Sequence, residues 1–424
     1  MSEPRPDGKP FAISKRLVWE AWLRVKANKG AQGADEESIQ AFEANLKGNL
    51  YKLWNRMSSG SYMPPPVRAV EIPKRSGGSR VLGVPTVADR VAQTIARLYL
   101  EPMVEPIFHP DSYGYRPGRS ALDAVRACRE RCWRYDWAID LDLRSFFDSL
   151  DHSLVLRAVA HHTDLRWILL YVERWLKAPL QREDGTLQAR DRGSPQGSAI
   201  SPVLANIFLH YALDLWLARE FPDVPFERYA DDAILHCRSK QQARDVLDAI
   251  TNRLAQVGLE LNPDKTRIVY CKDSNRVGSH EHERFTFLGY TFRPRMARSR
   301  AGVKFVSFLP AVADDAAKEI RRAIKRWRLH LRSGSALADL ARSINPIVRG
   351  WINYYGGFYP TELLRSLRLI NEYLVRWAMR KYKRLRGRHR RARSLLASVA
   401  AREPALFAHW QAGRAASGWM MGAR

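Results

Sequence analysis

The stretch Phe226-Glu227-Arg228-Tyr229-Ala230-Asp231-Asp232-Ala233-Ile234-Leu235-His236-Cys237 reads as a β-hairpin with Asp231-Asp232 at its turn. Adjacent acids at a hairpin turn repel one another and gain little by packing. A bound cation removes that cost, and oxygen ligands suit Mg2+, which takes one or two carboxylates together with substrate phosphates. Alone, Tyr229-Ala230-Asp231-Asp232 reads equally well as a solvated turn.

A second acidic stretch changes the balance. In Trp137-Ala138-Ile139-Asp140-Leu141-Asp142-Leu143 the strand period of two puts Asp140 and Asp142 on one face, and Phe146, Phe147 and Asp148 follow. A strand carboxylate brought beside the hairpin pair completes an oxygen set for two metal ions about 3.5–4 Å apart. Such a pair stabilises the attacking and leaving oxygens of an in-line phosphoryl displacement.

Outward from these blocks, residues 1–66 read as helical. Leu17, Trp19, Trp22 and Leu23 form one apolar cluster, and Ile39, Phe42 and Leu46 another. Pro64-Pro65-Pro66 breaks the pattern. Val67 to Ile72 alternates like a strand, Lys74 to Arg80 is a glycine-bearing basic turn, and Val81 to Val84 returns. Ala88 to Leu100 is helical. Ser201 is placed to cap a helix with Pro202 at its first position, and Val203, Leu204, Ile207, Phe208 and Tyr211 share its apolar face. Gln241 to Val257 is helical and closes at Gly258. Beyond about residue 310 the chain turns helical and basic, with nine Lys or Arg between Arg380 and Arg393.

The 424 residues suggest two or three domains, and 46% hydrophobic content allows packed cores. Lys plus Arg number 70 against 44 Asp plus Glu, a formal charge of +26, which points to a polyanionic partner. Cys128, Cys132, Cys237 and Cys271 lack the spacing of a zinc site or a disulfide framework and fit a reducing cytoplasm. Met1 to Pro10 has no signal-peptide apolar region, and no stretch approaches the ~20 apolar residues of a membrane span.

These blocks resemble reverse transcriptases, and their order resembles group II intron-encoded proteins over nearly the whole chain. The resemblance implies an α+β right-hand polymerase with fingers and palm, an N-terminal helical extension and a helical thumb or maturase domain. The expected boundaries are 1–66 for the extension, 67–305 for fingers and palm, 306–385 for the thumb and 386–424 for a basic DNA- or RNA-binding segment. In the family's first acidic block the metal ligand stands five residues before an aromatic. That favours Asp142 with Phe147 over the alternative register at Asp140. Asp142, Asp231 and Asp232 are then the expected catalytic and Mg2+-binding residues. Phe147 is expected beneath the sugar, where it excludes a 2′-hydroxyl.

In the same family the basic turn covers the incoming dNTP, which assigns Lys74 and Arg80 to its triphosphate. Gly193-Ser194-Pro195-Gln196-Gly197 resembles the block whose Gln lies near the nucleotide, here Gln196; as residues alone it also reads as a helix-entry loop. Gly258-Leu259-Glu260-Leu261-Asn262-Pro263-Asp264-Lys265-Thr266 offers Lys265 for a phosphate contact or for protonating pyrophosphate. Phe285-Thr286-Phe287-Leu288-Gly289-Tyr290 resembles the primer grip, with Leu288 and Gly289 at the primer strand. Asp111 to Ser120 mixes aromatics and arginines suited to stacking and phosphate contact.

The flanks narrow the resemblance. Lys26 to Asp35 is similar to the group II extension, and Ile344 to Tyr355 to the maturase signature. Expected partners are intron RNA or an RNA template, a DNA primer or target, and dNTPs, with no membrane and a bacterial cytoplasmic location near the nucleoid. About thirty residues follow Arg393, without cysteine pairs, so no H-N-H endonuclease and no DNA cleavage are expected. Two other readings share the motifs: a domesticated relative in DNA repair or phage defence, and a non-catalytic splicing scaffold.

Overall fold

The structure, a computed structural model, describes residues 8–73, 78–299 and 301–415. In chain order the strands are β1 (Val67–Pro73), β2 (Ser79–Val84), β3 (Trp137–Asp142), β4 (Leu180–Gln181), β5 (Leu187–Gln188), β6 (Phe226–Tyr229), β7 (Asp232–Cys237), β8 (Arg267–Tyr270), β9 (Phe285–Phe287), β10 (Tyr290–Arg298) and β11 (Lys304–Val312). Helices alternate with them, so the fold is α+β, as the sequence implies. Two compact units form. One holds the chain up to Ala124 together with Leu141–Arg267. The other holds Val125–Asp140 and the chain from Ile268 onward.

The first unit opens with the helices Lys15–Ala27, Ile39–Ala44 and Leu46–Ser59. The first of these buries Val18, Ala21, Trp22 and Val25, an i, i+3, i+4, i+7 face that packs on the Val87–Val104 helix. The apolar cluster expected at Leu17, Trp19, Trp22 and Leu23 is therefore rotated. Trp22 is in the core, but Trp19 is 50% exposed and Leu23 48%, because the small Ala21 lets the other face approach more closely.

The Val87–Val104 helix is capped by Thr86, whose hydroxyl accepts from the Asp89 amide. Asp89 is itself buried. It accepts hydrogen bonds from Tyr62 Oη at 2.8 Å, Trp175 Nε1 at 2.7 Å and Gln93 Nε2 at 2.8 Å. Burial pushes its carboxyl up to about 6 against the pull of those three donors.

β1 and β2 pair antiparallel from Arg68↔Val84 to Pro73↔Ser79, within a sheet ordered β2-β1-β4-β5. β6 and β7 pair from Phe226↔Leu235 to Tyr229↔Asp232, in a sheet ordered β6-β7-β3-β8. Between these sheets in sequence, the Ser201–Leu209 helix runs into a π-helical stretch, His210–Asp214, before resuming as Leu215–Glu220. Ser201 is not the N-cap expected from sequence. Ile200 holds that position, and the Ser201 hydroxyl bonds to Ser194 Oγ at 2.5 Å instead, which ties the preceding loop to the helix start.

In the second unit β9, β10 and β11 form an antiparallel sheet ordered β11-β10-β9. The helices Asp314–Arg326, Leu337–Tyr355 and Pro360–Lys381 bury Ile320, Ile344, Val348, Leu367, Ile370 and Leu374 in one core. Ala392, Leu396, Phe407 and Trp410, from the expected basic segment, join that same core. The cations Lys383, Arg384, Arg386, Arg388, Arg390 and Arg391 stay exposed. All four cysteines are buried. Among the described residues no helix is long and apolar enough to cross a membrane.

Candidate active site

The Tyr229↔Asp232 pair leaves Ala230 and Asp231 as a two-residue turn. Ala230 has φ +58°, at a turn position that favours glycine. Two contacts hold it there. Arg228 Nη1 donates to the Ala230 carbonyl at 3.0 Å, and Gly114 lies flat on the turn. A Cβ on Gly114 would stand 2.3 Å from the Ala230 nitrogen, so no other residue fits.

Asp142, the last residue of β3, is stitched to the segment that carries Lys265. Asn262 N donates to the Asp142 carbonyl at 2.9 Å, Arg144 N to the Glu260 carbonyl at 2.9 Å, and Asp142 N to Thr266 Oγ1 at 3.4 Å. This lays Lys265 Nζ 3.1 Å from both carboxylate oxygens of Asp142. The Asp142 charge also acts on the hairpin acids. Burial and then the charge of Asp142 raise the Asp231 carboxyl, which Lys265 and Arg228 partly oppose. Burial and then the like charges of Asp231 and Asp142 push Asp232 up to about 7. The Asp232 side chain still opens to solvent, which tempers the burial effect and leaves the repulsion. Three mutually repelling carboxylates with only oxygen donors fit a hard divalent cation.

Other expected residues gather around the same unit. Ser194 N donates to the Phe147 carbonyl at 2.7 Å, and Gly193 N to the Leu150 carbonyl at 2.7 Å. Gly83 N donates to the Gln196 carbonyl at 2.8 Å, so β2, the Gln196 loop and the segment after β3 are joined through backbone. Ser198 Oγ and Ala199 N both donate to Gln93 Oε1, at 2.6 and 2.8 Å, which anchors that loop to the Asp89 cluster. The Phe147 ring is half-buried, edge-on to Phe146 at 5.3 Å. Arg80 is exposed on β2. Lys74 lies outside the described residues, which stop at Pro73 and resume at Gly78.

Leu288 and Gly289, the residues expected at the primer grip, lie in the second unit. They form the β9–β10 turn with φ +50° and +77°, the double positive φ of a type I′ hairpin. Tyr354 Oη donates to the Leu288 carbonyl at 2.9 Å, and Tyr290 Oη donates to the Tyr354 carbonyl. The Tyr354-Tyr355 end of the expected maturase signature thus supports this turn.

Tyr115, from the aromatic and arginine block between Asp111 and Ser120, has φ +59°, is 46% exposed and lies 6.4 Å from the Tyr229 ring; burial and then the Asp231 charge raise its phenol. Other residues of the site escaped sequence reading. Gln93, Asn206 and Asp214 gave no signal on helical faces. Arg228 gave one: a charged residue at an inner position of an otherwise buried strand.

Residues 72–292 match the family model described as "Reverse transcriptase (RNA-dependent DNA polymerase)". The chain belongs to the reverse transcriptase family. Residues 317–396 of this reverse transcriptase match "Group II intron, maturase-specific domain", which makes it a group II intron-type reverse transcriptase with a maturase domain. Protein YkfC of Escherichia coli is 32% identical over 70% of the chain and 86% of its own length. An uncharacterized 91 kDa protein in the cob intron of Schizosaccharomyces pombe is 27% identical over 82% of the chain and 50% of its own. Group II intron-encoded protein LtrA of Lactococcus lactis is 28% identical over 61% of the chain and 43% of its own. The reverse transcriptase therefore spans half or less of the length of the last two relatives.

Proposed function

We propose that the protein is an active RNA-directed DNA polymerase that also binds group II intron RNA and assists its splicing and mobility. The observation that carries the catalytic half is the convergence of Asp142 with Asp231 and Asp232, two of whose carboxyls are raised by burial and like charge. A purely structural RNA scaffold gains nothing from that repulsion.

The reaction joins a primer 3′-oxygen to the α-phosphorus of a dNTP, breaks the bond to the bridging oxygen and releases pyrophosphate. Asp142, Asp231 and Asp232 would hold Mg2+, which supplies charge neutralisation to the transferring phosphoryl group. Arg80, with Lys74, neutralises the triphosphate, and a forked guanidinium suits that task. Gln196 and the backbone of its loop orient the nucleotide. Phe147 closes the space at the sugar 2′ position. Lys265 carries the positive charge that the departing pyrophosphate needs. Leu288 and Gly289 support the primer strand.

The splicing half rests on the maturase-domain match and the exposed cations between Lys383 and Arg391. A helical surface of this kind reads RNA by shape and phosphate contact. Asp231→Asn separates the two halves: it should abolish dNTP incorporation on an RNA template while RNA bound during purification, identified by sequencing, stays the same. Incorporation at the wild-type rate by this variant defeats the catalytic proposal. Purification free of structured intron RNA defeats the splicing one.

A further inference from the structure

Arg228 immediately precedes the acidic turn, and its side chain is buried. All five of its N–H groups are used. Nε and Nη2 grip the two oxygens of buried Asp214, at 2.7 and 2.6 Å. Nη2 also donates to Ser112 Oγ at 2.8 Å. Nη1 donates to Asn206 Oδ1 at 3.1 Å and to the Ala230 carbonyl at 3.0 Å. Asn206 Nδ2 donates in turn to the Gly114 carbonyl at 2.8 Å, and Gly114 is the residue pressed against Ala230. These bonds therefore close a ring around the turn from both sides.

The helix that supplies two of these partners is irregular where it must be. Asn206 and Asp214 are eight residues apart, which at 3.6 residues per turn leaves them roughly 80° apart around the axis. The π-helical stretch His210–Asp214 turns less per residue and takes up much of that offset, so both side chains meet one guanidinium.

We propose that Arg228 is the positioning residue of the acidic turn: clamped by Asp214 and Asn206, it fixes Ala230 in its left-handed conformation and so sets the cation affinity of Asp231 and Asp232. The inference rests on the metal-binding reading of these carboxylates. A bidentate arginine fixes orientation as well as charge, whereas a lysine supplies charge alone. A merely stabilising ion pair tolerates lysine at the site; a clamp on the turn does not.

The test is Mn2+ binding to the full chain with primer–template bound, followed by electron paramagnetic resonance, for wild type, Arg228→Lys and Asp231→Asn. Arg228→Lys keeps the buried charge balance but cannot hold Asp214 and the Ala230 carbonyl together. It should weaken Mn2+ binding about tenfold, roughly 1.4 kcal/mol, with its near-ultraviolet circular dichroism unchanged. If Asp231→Asn abolishes binding and folded Arg228→Lys binds as wild type does, the clamp is overturned and the metal assignment stands. If Asp231→Asn binds Mn2+ like wild type, both are overturned. Should Arg228→Lys not fold, Asn206→Ser carries the test. It leaves the Arg228–Asp214 pair in place, and about threefold weaker binding is expected; unchanged binding overturns the clamp.

Discussion

Lys265 Nζ stands 3.1 Å from each carboxylate oxygen of Asp142, so an ammonium occupies the acid that a metal ion would use. Lys265 is exposed enough to leave, its side chain being 58% accessible. In the proposed site it would act as a stand-in cation that keeps Asp142 ordered and competes with metal. Lys265→Met should therefore lower the half-saturating Mg2+ concentration by about three- to tenfold, since a partly screened ion pair is removed. It should also slow nucleotide addition, by about tenfold or more, as a leaving-group charge is removed. A Mg2+ titration of single-nucleotide incorporation reads both. Tighter metal without slower turnover would limit Lys265 to the stand-in role.

Burial and the like charges of Asp231 and Asp142 push the Asp232 carboxyl from an ordinary 3.8 up to about 7, and Asp231 is raised too. Between those values the folded protein holds protons that the unfolded chain has released. The contribution of these two carboxyls to folded stability without metal is thus fully present below about 4, falls as pH rises through the window, and is lost above about 7. Metal must displace the same protons, so half-saturating Mg2+ should fall about tenfold from pH 6 to pH 8. Asp232→Asn should raise the melting temperature of metal-free protein at pH 8 while removing activity. A Mg2+ requirement that ignores pH, or a melting temperature lowered by this substitution, contradicts the assigned repulsion.

Gln93 sits between the buried Asp89 and the loop of Gln196, donating to one and accepting twice from the other. Gln93→Leu leaves Ser198, Ala199 and Asp89 each short of a partner. Loss of about 1–3 kcal/mol in unfolding free energy is expected. The KM for dNTP should rise about tenfold with kcat changed much less, because the loop proposed to orient the nucleotide is loosened. Steady-state kinetics at fixed primer–template separates this from general unfolding, which would lower only the active fraction.

Phe147 is expected to act as a steric gate. Phe147→Ala should reduce the preference for dNTP over rNTP by at least about tenfold. Competition between dGTP and GTP on one template measures this, and an unchanged ratio removes Phe147 from sugar selection.

The exposed cations between Lys383 and Arg391 predict a salt-dependent RNA affinity. Changing Arg384, Arg388 and Arg391 together to Gln should lower the slope of log affinity against log salt by up to about 2, at about 0.7 for each phosphate of a single strand left without its cation. Filter binding across a salt series gives the slope. Uniform slopes for wild type and variant would place the RNA elsewhere.

Much of this site is legible in the sequence because its signals are local. The adjacency of Asp231 and Asp232 and the hairpin around residues 226–237 follow from the strand period and turn length, which also put Asp140 and Asp142 on one face; it is the family resemblance that favours Asp142. Lys265 stands out through its block, and its bond to Asp142 follows from the backbone pairing of Asn262 and Glu260 with the end of β3. What stays hidden depends on tertiary packing. The inward face of the first helix is turned from the one its large apolar residues suggest, because Ala21 and Val18 make a closer fit than Trp19 and Leu23. Ser201 looks like a cap because no local rule reveals its bond to Ser194. The Arg228–Asp214 pair joins residues fourteen apart through a π-helical stretch, and no periodic template anticipates that geometry.

The most direct measurement is single-turnover addition of one dNTP to a DNA primer annealed to RNA, comparing wild type with Asp142→Asn, Asp231→Asn and Asp232→Asn. The three carboxylates acting as one set predict rapid Mg2+-dependent addition by wild type and a loss on the order of a thousandfold or more in every variant. Addition at the wild-type rate by any one of the three would contradict the proposed active site.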